Sequence, residues 1–302
     1  MTSKNVTAWL AAAAVALLMV DAAGAQTEQA AGPPQVEELQ HYPLREPLHI
    51  DWTFDGPFGS YDRRQLQRGF QVYREVCAAC HALSYVAFRN LGEPGGPGFG
   101  EAEVRALAAE YMVQDGPDDS GEMFERPAVP SDTIPPPFAN AQAARAANGG
   151  AYPPDLSLIT KARAVERGLP WFLFDIFTQY QETGSDYLYS LLVGYQEPPE
   201  GTEVQPGLYY NPYFISGSAL AMPPPLSDGV VSYAQNQDED AANDVPETVE
   251  QYARDVTAFL MWAAEPNLEA RKRMGFSVMG FLILFAGLVF YTKKKVWDEV
   301  GH

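Results

Sequence analysis

Cys77-Ala78-Ala79-Cys80-His81 is the stretch on which the reading of this chain turns. Two thiols separated by two residues and followed at once by an imidazole form the attachment pattern of a c-type haem: each sulfur adds across a vinyl group, and the histidine coordinates iron. Two intervening residues let one helical turn bring both sulfurs to the same porphyrin edge. A structural zinc would need about four ligands. Cys77 and Cys80 are the only cysteines in the chain, and His41, His49 and His302 form no second pair. A redox-active Cys-x-x-Cys has no need of the adjacent imidazole, and it belongs with a βαβ pattern that is missing here. The expected cofactor is one covalently attached haem c, with His81 as an iron ligand.

The chain has 302 residues and a formal net charge of -19. That balance excludes nucleic acid as a partner and favours a cationic one. Both thiols are committed to haem, so cysteine usage does not report the compartment. Residues 1–25 do: Lys4 opens them, Ala8 to Val20 is continuously apolar, and Ala23-Gly24-Ala25 offers a cleavage site before Gln26. This reads as a secretory signal, too short to span a bilayer comfortably.

Gln26 to Gly59 is rich in proline and aromatics without a sustained period, and is expected to be an extended arm packed on the globule. His41 and His49 lie in it, each either a second haem ligand or a solvent-facing or hydrogen-bonded side chain. Ser60 or Asp62 can cap a helix reaching about Val76, with Leu66, Phe70 and Tyr73 on one face. A short turn is expected over Tyr85 to Leu91 and a helix over Glu101 to Val113. Asp115, Asp118, Asp119, Glu122 and Glu125 form an acidic run, and Asp228 to Asp244 a second acidic loop. Arg126 to Asn140 holds too much proline for regular structure. Pro246 should start a helix to about Ala264 with Tyr252, Val256, Phe259 and Leu260 on its apolar face.

Gly275 to Tyr291 is an uncharged apolar run between Arg271-Lys272-Arg273 and Lys293-Lys294-Lys295. As a helix it would cover about 26 Å, slightly short of a hydrocarbon core, so the flanking cations are expected to snorkel. The bracket is nearly symmetric, so only the signal segment orients the span.

Arg64-Gln65-Leu66-Gln67-Arg68-Gly69-Phe70-Gln71-Val72-Tyr73, the haem motif, Tyr85-Val86-Ala87-Phe88-Arg89, Asn148-Gly149-Gly150-Ala151-Tyr152-Pro153-Pro154-Asp155-Leu156-Ser157 and Phe259 to Gly275 together resemble the cytochrome c1 family. The resemblance runs in order from about Gly56 to Trp297. It implies a mainly α, class I cytochrome c-type haem domain with long loops, tethered by one C-terminal transmembrane helix. It implies the organisation 1–25 signal peptide, 26–270 periplasmic haem domain, 271–297 anchor with basic flanks and 298–302 cytoplasmic tail, in the inner membrane.

By the same resemblance, Asn148, Pro153 and Pro154 border the haem, Arg163 meets a propionate with Lys161 as local competitor, and Tyr187, Leu191 and Leu192 line the pocket. A planar cation suits a carboxylate that would be costly to bury alone. The sixth ligand is sought among Met112, Met123 and Met222, because the other methionines fall in the signal or in the C-terminal helical region. Spacing does not separate the three. Small residues before Met222 and Pro223-Pro224-Pro225 after it favour Met222, and the stretch resembles the family's methionine loop, preceded by Asn211-Pro212-Tyr213-Phe214. Arg167 to Ser185 looks like an insertion.

The family implies a subunit of quinol:cytochrome c oxidoreductase, not catalytic alone, that passes single electrons from the Rieske iron-sulfur protein to a cationic cytochrome c and assembles with cytochrome b. Two other readings share some features: a free membrane-anchored cytochrome c shuttle, and a haem-based sensor with a displaceable sixth ligand.

Overall fold

A computed structural model of the chain describes residues 42–164, 169, 183–233 and 244–298. Its regular elements are mostly helical: α1 Arg63–Glu75, α2 Glu101–Ala109, α3 Ala141–Ala147, α4 Ile159–Ala162, α5 Thr183–Val193, α6 Val249–Ala264 and α7 Leu268–Trp297. Two small antiparallel pairs join them, β1 Met112–Asp115 with β2 Phe124–Pro127, and β3 Tyr209–Tyr210 with β4 Ala219–Leu220.

α6 is the axis of the domain. Thr248 caps it by accepting from the Gln251 amide, so the helix starts after Pro246 and not at it. It is buried nearly all round from Tyr252 to Trp262, because α1, α4 and α5 all pack against it. α1 lies closest. At Gly69 an added Cβ would sit 2.0 Å from the Asp255 carbonyl oxygen, so only glycine lets the two helices approach this far. Phe70 and Tyr73 then meet Phe259 at 5.5 and 5.9 Å between ring centroids.

Next to that crossing lies a fully buried carboxylate. Asp255 accepts from Arg68 Nε at 2.7 Å, Gln65 Nε2 at 3.2 Å, Gln251 Nε2 at 2.9 Å and the Tyr233 hydroxyl at 2.8 Å. Burial pulls the Arg68 pKa down, but the Asp255 carboxylate outweighs it and holds the guanidinium above its ordinary value.

Asp62 caps α1 through the amides of Arg64 and Gln65. The described part of the arm before it, 42–59, is extended and tied to the globule as expected: the Trp52 indole N–H donates to Asp186 at 2.8 Å and the Leu48 amide to Ser190 Oγ at 2.8 Å, both on α5. His49 pairs with Asp186 at 3.2 Å, which makes it a hydrogen-bonded side chain of the arm. His41 lies outside the described residues, as do 170–182 of the proposed insertion and the 234–243 part of the second acidic loop.

Two further expectations change. The helix over Glu101 to Val113 stops at Ala109, and Met112–Asp115 forms a strand paired with the proline-rich side of the segment, Met112 opposite Pro127 and Asp115 opposite Phe124. Tyr111 packs on Phe88 at 5.2 Å and its carbonyl accepts from the Ala128 amide, so these tertiary contacts override a weak helical preference. Lys272 is the second correction. It does not snorkel: it is 6% exposed, and its ammonium donates to the Phe54 carbonyl at 2.6 Å. Leu268 is buried, and Glu269 accepts from the Tyr61 amide at 2.9 Å, so the first turns of α7 belong to the globular domain. From Met274 onward nearly all its large apolar side chains are exposed, and among the described residues it is the one helix long and apolar enough to cross a membrane.

Replacing Asp255 with Ala would leave the Arg68 cation buried without its counter-charge, which costs about 3–5 kcal/mol. Denaturant unfolding followed by helical circular dichroism should show that loss, while Asp119→Ala on the exposed hairpin should leave the midpoint nearly unchanged.

Candidate haem site

α1 ends at Glu75 and runs directly into a 3-10 turn, Cys77–Ala79. The amides of Cys80 and His81 both donate to the Cys77 carbonyl, at 3.1 and 2.9 Å, so the motif is one tight turn carried by the α1–α6 pair. Both thiols are free, Cys77 partly buried and Cys80 exposed. Burial, and after it the neighbouring Cys80, pushes the Cys77 thiol up to about 12, so it is protonated at neutral pH. A redox dithiol requires the opposite shift. Among the described residues no group of three His, Cys, Asp or Glu side chains could hold a metal ion.

His81 Nδ1 lies 2.8 Å from the Pro154 carbonyl oxygen. A carbonyl only accepts, so Nδ1 carries the proton and the lone pair is on Nε2. Burial lowers the His81 pKa, which favours the neutral imidazole that a metal requires. The Pro153–Ser157 loop is pinned beside the motif. The Ser84 amide donates to Asp155 Oδ2 at 3.0 Å, and the Ser157 amide to Asp155 Oδ1 at 2.8 Å. The Tyr85 amide donates to Ser157 Oγ at 3.1 Å, and the Leu156 amide to the Ala82 carbonyl at 2.9 Å. Asp155 thus spans the two segments whose separation sets the His81–Pro154 bond.

Met222 lies where two apolar clusters meet. One is the main core; the other is Tyr187, Leu191 and Leu220, flanked by Tyr195, Phe214 and Ile215. The Tyr195 hydroxyl donates to the Met222 carbonyl at 3.1 Å, and Asn211 Nδ2 to the Leu191 carbonyl at 2.8 Å, so the methionine loop is tied to α5 and the residues after it. The competing methionines sit on the hairpin: Met112 is 53% and Met123 57% exposed. Leu192 belongs to the main core. Lys161 is engaged with Glu265 at 2.6 Å, whereas Arg163 is exposed near Tyr187. Burial raises the Tyr187 pKa, and the Arg163 charge acts against that rise. Asn148 caps α3, its amide donating to the Ala144 carbonyl at 2.7 Å.

Asp155, Tyr195 and Asn211 are the residues that sequence reasoning passed over. Two of them had a local signal: Asp155-x-Ser157 and Asn211-x-Tyr213 are Asx patterns, and each carboxyl or amide oxygen does accept from the amide two residues on.

The model of the Cytochrome C1 family matches residues 52–300. This chain belongs to the cytochrome c1 family. It is 60% identical over 249 residues to a Bradyrhizobium diazoefficiens protein named cytochrome b/c1, covering 82% of this chain and 35% of that longer protein. It is 49% identical to cytochrome c1 of Blastochloris viridis, covering 82% of this chain and 86% of the relative, and 44% identical to cytochrome c1 of Rhodospirillum rubrum, covering 83% and 88%.

Cytochrome c1 proteins carry one covalently attached haem c. The residues present fit that group: two free thiols on one turn, one of them held protonated, and a neutral imidazole whose Nδ1–H is already occupied. In Asp155→Ala the amides of Ser84 and Ser157 lose a charged acceptor worth about 1.5–3 kcal/mol, so their hydrogen exchange should speed up by roughly tenfold or more. Exchange at Phe259 and Leu260 should not change. Unchanged protection at Ser84 and Ser157 would show that the carboxylate does not hold the loop.

Proposed function

We propose that this member of the cytochrome c1 family is the haem-bearing electron carrier of a cytochrome bc1 complex, built with cytochrome b and a Rieske iron-sulfur protein, and that it hands electrons from the Rieske protein to a cytochrome c. The observation that carries the reading is the His81 imidazole, neutral and fixed on the Pro154 carbonyl at 2.8 Å beside both free thiols. When bound, haem c supplies a one-electron iron couple.

The chain's own residues perform the rest. Cys77 and Cys80 would bind the haem covalently, His81 Nε2 and the Met222 sulfur would ligate its iron, and Arg163 would offer its guanidinium to a propionate. Pro153, Pro154 and Asn148 would border the cofactor, and the apolar side chains of Tyr187, Leu191 and Leu192 would help to exclude water from it. The short junction between α6 and α7, with Trp262, Leu268 and Lys272 buried, supports a fixed subunit over a loosely tethered shuttle, because it joins the domain to its anchor without a long linker. The packed Met222 loop and its ties to Tyr195 and Asn211 speak against the displaceable ligand of a sensor. The apolar N-terminal segment with its cleavage pattern supports a periplasmic haem domain and a cytoplasmic C-terminus. Extraction in mild detergent followed by native separation should bring cytochrome b and the Rieske protein along with this chain; migration alone would reject the assembly.

For the acceptor, the hairpin between β1 and β2 narrows the acidic surface. Asp115 is engaged with Arg126, and Asp118 accepts from the amides of Ser120 and Glu122, so both are structural. Asp119, Glu122 and Glu125 remain outward, with Met123 and Phe124 exposed among them. Exposed charges act over roughly 8 Å at physiological ionic strength and chiefly alter capture. In stopped-flow oxidation by a basic cytochrome c, the triple variant Asp119→Asn, Glu122→Gln, Glu125→Gln should react several-fold more slowly at low salt and equal the parent at high salt. Equal rates at all salt concentrations would return these acids to ordinary solvated surface.

A further inference from the structure

One face of α7 is gripped by a single short segment, residues 54–61. Glu269 Oε1 accepts from the Tyr61 amide at 2.9 Å. Three residues on, the Lys272 ammonium donates to the Phe54 carbonyl at 2.6 Å and the Gly59 carbonyl at 3.4 Å. Four residues further, the Phe276 ring stacks on Phe58, centroids 5.0 Å apart and planes 10° apart. Positions spaced by three and four lie on one helix face, so the segment follows α7 downward from the domain into the start of its apolar run at Gly275.

The segment that does this is stiff. The Ser60 amide closes it on the Thr53 carbonyl at 2.9 Å, and the Asp55 amide turns back to the Trp52 carbonyl at 3.1 Å. At Gly59 a Cβ would fall 2.1 Å from the Asp55 carbonyl oxygen, so the turn is as tight as a glycine permits. Yet the side chain at its tip is Phe58, 84% exposed. The stack on Phe276 covers little of the ring, and a loop facing water has no other local reason to hold a phenyl group there. Its height supplies one. Lys272 and Phe276 are about 6 Å apart along the helix. Above Phe58 is the polar domain edge with the exposed Arg271 and Arg273, and below it the exposed apolar side chains of α7 begin. An apolar ring at that level suits the boundary of headgroups and acyl chains, into which interfacial segments bury Trp, Phe and Leu.

We propose that the Gly56–Gly59 loop is a second membrane contact, with Phe58 seated at the boundary of lipid headgroups and acyl chains beside α7. Together the loop and the helix meet the bilayer at two points, which fixes the tilt of the haem domain over the membrane and not only its attachment. The proposal rests on α7 being the membrane span, and the experiment separates the two.

The test uses full-length, haem-loaded chain, reduced so that the iron is diamagnetic, in phosphatidylcholine vesicles. Phe58→Cys, Phe281→Cys and Asp119→Cys carry a nitroxide in turn, and its collisions with oxygen, which prefers lipid, are compared with those of a water-soluble nickel chelate. The proposal expects the Phe58 position to shift from the solvent-like ratio of position 119 toward the lipid-like ratio of position 281. A position 58 ratio equal to that at 119, with 281 still lipid-like, overturns the loop contact and leaves the anchor standing. Solvent-like ratios at both 58 and 281 overturn the anchor itself. Exclusion of both reagents from position 58 would mean that protein, from the domain itself or a second copy of the chain, covers Phe58, and would also overturn the lipid contact.

Discussion

The buried Asp255 carboxylate is the interaction on which the rest of the domain depends. Its side chain is fully buried, and a charge there is tolerated only because Arg68, Gln65, Gln251 and Tyr233 together satisfy both oxygens. Two of those partners are on α1 and one on α6 itself. The same helix pair closes at Gly69, where the Asp255 carbonyl occupies the space a side chain would need. Register between α1 and α6 is therefore specified twice, by shape and by charge. The Cys77–Ala79 turn is the direct continuation of α1, so the position of the cofactor motif relative to the core is inherited from this crossing.

An electron carrier breaks no substrate bond, and the site is built accordingly. Each of its polar contacts has a main-chain partner on at least one side: the Pro154 carbonyl accepts from the His81 ring, the Leu156 amide donates to the Ala82 carbonyl, and the Ser84 and Ser157 amides donate to the Asp155 carboxylate. Such contacts hold ligand geometry with little side-chain freedom, which keeps reorganisation small when one charge is gained or lost. The rigidity continues into the membrane, because α7 begins inside the domain at Leu268 and emerges only beyond Lys272.

Much of this was legible in the residues. The Cys-x-x-Cys-His spacing names its cofactor because the chemistry of attachment dictates it, and α1 shows the period of a helix with one face buried, whereas α6, read with one apolar face, is buried nearly all round. The apolar run of α7 declares itself by length. What could not be read were the places where distant contacts override local preference. Tyr111 to Gln114 have no strong helical bias, and only Phe88 and Ala128, far or opposite in sequence, make a strand of them. Lys272 sits in a basic triplet that by composition belongs to the headgroups; the distant carbonyls of Phe54 and Gly59 draw it inward. The acidic run is uniform in composition, yet Arg126 takes Asp115 out of the outward-facing set. Asp155 carries an Asx signal, but its reach to Ser84 depends on two loops meeting.

The central claim is that one haem is held between His81 on the α1 side and Met222 on the α5 side. The most direct measurement is the near-infrared charge-transfer band that a thioether ligand gives to ferric haem, recorded by magnetic circular dichroism on the full chain. The account requires that band in the parent, in Met112→Leu and in Met123→Leu, and its loss in Met222→Leu. A band that survives Met222→Leu and disappears with Met112→Leu or Met123→Leu would place the iron on the hairpin side and contradict the site described above.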